Sequence, residues 1–250
     1  MYRFYIDESD FDGRFARITG EDVNHIANVL RLNTGEWIVC CNGSGIDHIG
    51  RISDISRDEV LVDIEKTVPT GNELDLRMVL FQGLPKGDKM DLIVQKAVEV
   101  GAYRIIPVAM ARSVVRLDPK KASKKQERWQ KIALAAAKQC DRGMIPEVTQ
   151  PVSFDEALQM AGELDKSILP YEVQNGMQDT DAVLNEAADK KSVGIFIGPE
   201  GGFEKDEVDK AVSKGIKTIS LGRRILRTET AGLVTMSVLM YKSETKVSKH

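Results

Sequence analysis

The sequence predicts a chain in two parts. A small barrel or sandwich of short β-strands over residues 1–70 is followed by an α/β domain on a mostly parallel sheet over residues 74–246. Three observations carry this reading. Near Leu74 the hydrophobic period changes, from short β-branched runs to apolar strands alternating with amphipathic helices. Pro69-Thr70-Gly71-Asn72 is polar and breaks both periods, so the boundary falls there. The strand–helix alternation then continues almost to the end, as expected when helices cover both faces of a parallel sheet.

In the leading part, residues 4–6 read as a strand. Residues 21–32 read as a helix with Val23, Ile26, Ala27 and Leu30 on one face and Thr19 or Asp22 as its cap. Strands follow at 37–41, 47–55 and 60–68, separated by Asn42-Gly43-Ser44-Gly45 and Ser56-Arg57-Asp58, both of turn composition. In the second part, strands are expected at 76–81, 105–108, 167–169, 193–197 and 218–221. Helices are expected at 89–100, closed by Gly101, and at 120–139, 205–213 and 230–241. Ser153-Phe154-Asp155-Glu156 spells a capping box and opens one more helix.

With 250 residues, 42% of them hydrophobic and 29% charged, the chain has the composition of a globular protein with a sizeable core, not of a disordered or fibrous one. No apolar run reaches the roughly 18 residues of a membrane span, and Met1-Tyr2-Arg3-Phe4-Tyr5 lacks a signal-peptide pattern. A cytoplasmic location is therefore expected. Cys40, Cys41 and Cys140 have no paired spacing, and His25, His48 and His250 are isolated, so neither a disulfide framework nor a metal site is expected.

Charge is unevenly distributed. Between Arg112 and Arg142 ten basic residues face only Asp118, Glu127 and Asp141, a local charge of +7 within a chain of net charge −3. Such a stripe fits a grip on a polyanion, and it fits a solvated helix face equally well. Arg3, Arg112, Arg116, Lys124, Lys125, Arg128 and Arg142 are the candidates for contact with a nucleic-acid backbone.

The chemistry is concentrated at strand ends. Gly198-Pro199-Glu200-Gly201-Gly202 follows an apolar strand and precedes a helix, where ligands of open α/β sheets bind. It lacks the Walker lysine and the GxGxxG spacing, and on composition alone it reads as a tight structural turn or as a ligand loop. A second strand end, Leu221-Gly222-Arg223-Arg224-Ile225-Leu226-Arg227, leads into a helix with Thr228 as its expected N-cap. Arg227 and Glu229 would orient a ligand there or form a local ion pair. The third is Leu169-Pro170-Tyr171-Glu172. Spacing alone does not decide whether the three loops converge.

Gly198–Gly202, together with the run from Leu221 to Ala231, closely resembles the RsmE family of SPOUT-class methyltransferases, which modify N3 of a uridine in small-subunit (16S) ribosomal RNA. Lys86-Gly87-Asp88-Lys89-Met90, Gln95 to Gly101, Arg112 to Val115, Trp129 to Ala133, Gln139 to Arg142, and His25 with Val29-Leu30-Arg31 extend the likeness over most of the chain. It is weak from about 150 to 192 and after Tyr241. The resemblance implies a PUA-like, RNA-binding β-barrel at 1–70 and a SPOUT domain with a deep trefoil knot at 74–246. It implies a homodimer paired through the helix at 231–240, and no metal. S-adenosylmethionine would be held by Leu169, Pro170, Tyr171, Glu172, Gly198, Pro199, Glu200, Gly201, Gly202, Leu221, Gly222, Ile225, Leu226 and Thr228. For catalysis, Arg227 would stabilise a uridine anion, with Glu229 or Glu200 orienting it or accepting the proton. A non-catalytic ribosome assembly factor is the alternative: it explains the barrel and the basic stripe but not the glycine loops.

Overall fold

The short β-branched runs of the first seventy residues pair into a six-stranded sheet. Its strands are β1 (Tyr2–Tyr5), β2 (Phe11–Asp12), β3 (Phe15–Thr19), β4 (Trp37–Cys41), β5 (Ile46–Ile55) and β6 (Glu59–Pro69), in the order β1-β4-β5-β6-β3-β2. The structure is a computed structural model and describes residues 1–113, 118–171 and 177–247. Only the β1–β4 pair is parallel in this sheet. Alternation along β3 turns Ala16 and Ile18 inward, where they pack with Phe4, Ile26, Ile38, Ile52, Val60 and Val62. The helix expected at 21–32 is shorter. It comprises α1 (Glu21–Asn24) and a π-helical stretch His25–Leu30, and stops because Arg31 adopts a left-handed conformation at φ 55°. Gly20 occupies the N-cap and no side chain caps the helix, so neither Thr19 nor Asp22 has the expected role.

The first compact unit runs Met1–Glu73 and also contains Ala137–Ile145, a segment that the sequence reading puts in the α/β part. Buried polar chemistry explains its placement. Arg142 Nη2 lies 2.6 Å from Glu73 Oε2, and the same carboxylate accepts the N–H groups of Gly143 and Met144 at 3.1 Å. Arg3 pairs with Asp47 and, at 2.8 Å, with Asp141; the Thr70 hydroxyl donates to Asp47, and Asn72 donates to the Asp141 carbonyl at 2.9 Å. Asn72 of the polar run that reads as a boundary, and Glu73 directly after it, thus supply groups that hold residues 141–144.

The second unit, Leu74–Ala136 with Pro146–His250, is built on a seven-stranded sheet. Its elements are β7 (Arg77–Gly83), α2 (Lys89–Glu99), β8 (Ala102–Ala109), α3 (Pro119–Gln139), β9 (Glu147–Val148), β10 (Val152–Ser153) and α4 (Phe154–Ala161). There follow β11 (Lys166–Pro170), α5 (Met177–Ala188), β12 (Ser192–Ile197), α6 (Lys205–Ser213), β13 (Lys217–Ile219) and α7 (Thr228–Val247). Strand order is β10-β8-β7-β12-β11-β13 with β9 beside β8, and every pairing is parallel. The near-continuous apolar runs of β7 and β12 are buried, as a covered parallel sheet requires. Phe81 and Phe196 stack at 4.3 Å in this core. The capping box forms as spelled: Glu156 N donates to Ser153 Oγ at 3.3 Å and Ser153 N to Glu156 Oε2 at 2.7 Å. After β13, at one edge of the sheet, the chain returns to pack α7 on β12, β7 and α2.

Candidate functional site

Parallel strands deliver their carboxyl ends to one edge of a sheet. In register, Gln82 lies opposite Ile197, Ile168 opposite Ile195, and Pro170 opposite Ile219, so the loops after β7, β12, β11 and β13 emerge side by side. Hydrogen bonds tie them. Tyr171 N donates to Ile219 O at 2.9 Å. The Thr228 hydroxyl donates to Gly198 O at 2.6 Å and accepts from Gln82 Nε2 at 2.8 Å. A Cβ at Gly83 would lie 2.6 Å from Pro199 N, so the approach of β7 to the glycine loop tolerates no side chain. Thr228 is therefore not the expected N-cap. Its side chain is buried and engaged on both sides, a tie between segments and not a free ligand contact.

The 198–202 loop is held by charge. Glu200 accepts Lys86 N at 3.0 Å and Lys89 Nζ at 2.8 Å. Burial opposes ionisation of Glu200, yet the Lys89 hydrogen bond and backbone N–H groups outweigh it and hold the carboxyl below its usual range. Arg112 donates to Glu204 at 2.8 Å and to Gly201 O at 2.9 Å, and a Cβ on Gly201 would sit 3.0 Å from that of Arg112. Arg112 is thereby a clamp on the loop, engaged within the fold. Glu229 Oε2 faces Lys89 Nζ at 3.7 Å, is buried, and accepts no hydrogen bond among the described residues. Arg227 is exposed beside this cluster, close enough for its charge to oppose the Glu200 contact that raises the Lys89 pKa.

The 221–226 loop is open. Gly222, at φ +97°, and Gly202, at φ +69°, have the left-handed backbone that favours glycine, and nothing lies within 4 Å of where a Cβ would stand. No hydrogen bond among the described residues engages the backbone of Leu221 or of residues 223–226. Ile225 is 94% exposed and Tyr171 is also exposed, while Leu221 and Leu226 are half-buried. Leu169 is fully buried in the apolar core, so at this edge it presents only backbone. Glu172 lies outside the described residues.

Of the basic candidates, Arg3 and Arg142 are corrected. Their side chains are 9% and 5% exposed and locked in the ion pairs of the first unit. Arg128 is exposed but contacts Asp91 and, at 3.8 Å, Asp88. Lys124 is exposed on α3, and the Lys125 ammonium lies 5.7 Å from the ring centre of buried Trp129. Arg116 lies outside the described residues. No group of three His, Cys, Asp or Glu among the described residues is arranged for a metal ion. Sequence reasoning misses Gln82, Lys86 and Lys89 as site residues. The available signal is their position at the carboxyl end of β7.

Residues 72–240 match the RNA methyltransferase domain family, and residues 18–65 match the RNA methyltransferase PUA domain. The chain is similar to the ribosomal RNA small subunit methyltransferase E of Bacillus subtilis (strain 168), 41% identical over 91% of this chain and 90% of that one. The protein of the same name from Buchnera aphidicola subsp. Acyrthosiphon pisum is 32% identical over 95% of this chain and 92% of its own. Among solved structures, the ribosomal RNA small subunit methyltransferase E of Neisseria gonorrhoeae, bound to S-adenosyl methionine, superposes with a TM-score of 0.78 at 32% identity, covering 96% of this chain and 97% of that one. The matched methyltransferase domain contains the whole strand-end edge, and the likeness to these relatives spans both units: the chain belongs to the ribosomal RNA small subunit methyltransferase E family.

Proposed function

We propose that this protein methylates N3 of a uridine in the decoding region of 16S ribosomal RNA, in the cytoplasm, with S-adenosylmethionine as donor. The observation that carries the reading is the meeting of three loops, 169–171, 198–202 and 221–227, at one edge of a parallel sheet. The residues present fit the donor. Unpaired backbone at 223–226 and the open space beside Gly202 and Gly222 suit a nucleoside, and Ile225, Leu226 and Tyr171 supply apolar walls. When bound, the sulfonium supplies an electrophilic methyl group.

The chain's own residues do the rest. The glycine loop and the 221–226 loop fix the donor, since in-line placement against the nucleophile is a major lever in such a transfer. Uridine N3 is a poor nucleophile until its proton leaves, and its Watson–Crick edge must be unpaired. Arg227, exposed beside two carboxylates, stabilises negative charge on the base oxygens. The exposed lysines of α3 hold the RNA backbone, and residues 1–70, as a PUA-like barrel, read its shape. Passage of the chain from edge strand β13 back beside β12 and β7 supports a SPOUT-type trefoil knot over 74–246. Exposed Leu92 on α2 and Tyr241 on α7, two helices that pack together, support pairing of two copies there.

Mass spectrometry of 16S RNA nucleosides tests this. Small subunits incubated with the protein and S-adenosylmethionine gain 3-methyluridine, and an unchanged nucleoside profile refutes the reading. In calorimetry S-adenosylhomocysteine binds, whereas ATP and NAD do not.

A further inference from the structure

Four carboxylates surround the glycine loop, and three of them are fully engaged. Glu200 accepts from Lys86 N and Lys89 Nζ. Glu204 accepts from Nε and Nη2 of Arg112, at 2.8 and 3.1 Å. Glu207 accepts Ala111 N on one oxygen and Glu204 N on the other. Glu229 differs: among the described residues neither of its oxygens accepts a hydrogen bond, and Oε2 is sealed from solvent at 3.7 Å from Lys89. Its side chain is 16% exposed, so that exposure belongs to the atoms other than Oε2.

We propose that Lys89 is a positioning residue of the methyl transfer: it locks Glu200 as a strut of the glycine loop and draws Glu229 Oε2 inward, leaving Glu229 Oε1 to take the proton of uridine N3. This rests on the function proposed above and decides between its two carboxylates. In the step, the N3–H bond breaks and its electron pair stays on nitrogen. The proton goes to Glu229 Oε1, and the anion's charge lies beside Arg227. N3 then takes the methyl as the sulfur–carbon pair returns to sulfur, and the Glu229 carboxylic acid releases its proton to water. Among the described residues, the charged groups acting on the Lys89 ammonium that faces Glu229 are Glu200 on the glycine loop, Glu229 itself and Arg227 on the loop before α7. One ammonium bridging two carboxylates also explains why Glu229 can lie inward without a hydrogen-bond donor.

Single-turnover methylation of saturating RNA across pH, with S-adenosylhomocysteine affinity measured in parallel, tests the assignment. Glu229→Gln is expected to lower the rate about 100-fold or more and to abolish the acid limb of the pH profile, with the ligand still bound. Lys89→Met is expected to lower the rate about tenfold to a hundredfold. It also alters the pH profile, because the positive charge 3.7 Å from the Glu229 carboxylate is removed. Lys89→Arg restores both the rate and the limb. If Lys89→Met fails to fold, Lys89→Arg alone decides: it binds ligand and keeps the limb, or the proposal fails. Wild-type rate and limb in Lys89→Met or in Glu229→Gln overturn it. A wild-type protein that forms no 3-methyluridine overturns the function proposal as well, so the two failures are distinguishable.

Discussion

The hydroxyl of Thr228 joins the start of α7 to the carbonyl of Gly198 and receives the Gln82 amide, so one buried oxygen fixes three segments. Thr228→Val keeps the shape but leaves Gly198 O unpaired. It is expected to cost about 1–3 kcal/mol in urea denaturation and to weaken S-adenosylhomocysteine binding, while Thr228→Ser preserves both. At this scale sequence identifies residue types but not their partners. Arg3 and Arg142 read as RNA ligands because arginines are rarely buried, yet the acids that neutralise them lie 44, 69 and 138 positions away in the chain. Glu229 was legible as chemically relevant. That it alone of these four accepts no hydrogen bond among the described residues was not, since this depends on what Arg112, Lys86, Lys89 and Ala111 donate to the others.

Helix α3 carries its basic residues on a surface where Lys124 is exposed and Trp129 faces inward. Lys124→Ala with Lys125→Ala is expected to weaken RNA binding and reduce the slope of log affinity against log salt by about 2, measured by filter binding. Arg3→Met is expected to leave the slope unchanged while destabilising the first unit by about 3–5 kcal/mol, through the uncompensated acids it leaves behind. Several turns of the second unit depend on ionised carboxylates: Ser153 holds Glu156, Ser192 holds Asp165 and Arg112 holds Glu204 below the usual range. Groups depressed on folding stabilise above their unfolded pKa, about 4.3 for Glu and 3.9 for Asp. The melting temperature is therefore expected to be flat from about pH 7 to 5 and to fall as acid protonates them. Elements with strong patterns were legible, α6 to the residue. Helix α5 was not: among its described side chains the buried ones are Thr180, Leu184, Ala187 and Ala188, too small and polar to mark a period. The two-residue strands β2, β9 and β10 are shorter than any periodic signal.

Over the whole molecule, the break at residues 69–72 and the alternating pattern make a β-rich unit and a parallel α/β unit readable. Strand order is not, because each parallel crossover only returns the chain to the same edge without choosing a neighbour. Capture of Ala137–Ile145 by the first unit is likewise hidden, since it depends on Glu73 and Thr70 meeting that segment in space. On the proposed pairing through α2 and α7, Leu92→Asp puts charge at an exposed apolar position of α2 and is expected to abolish self-association in sedimentation velocity. The return of α7 to the centre of the sheet has a temporal consequence. The ribosome emits β7, β11, β12 and β13 before it emits Thr228, so a nascent chain exposes the glycine loop with its closing latch still in the exit tunnel. Affinity for the donor product should therefore arise abruptly as the last helix emerges, and stalled chains of graded length would show it as a step near the end of synthesis.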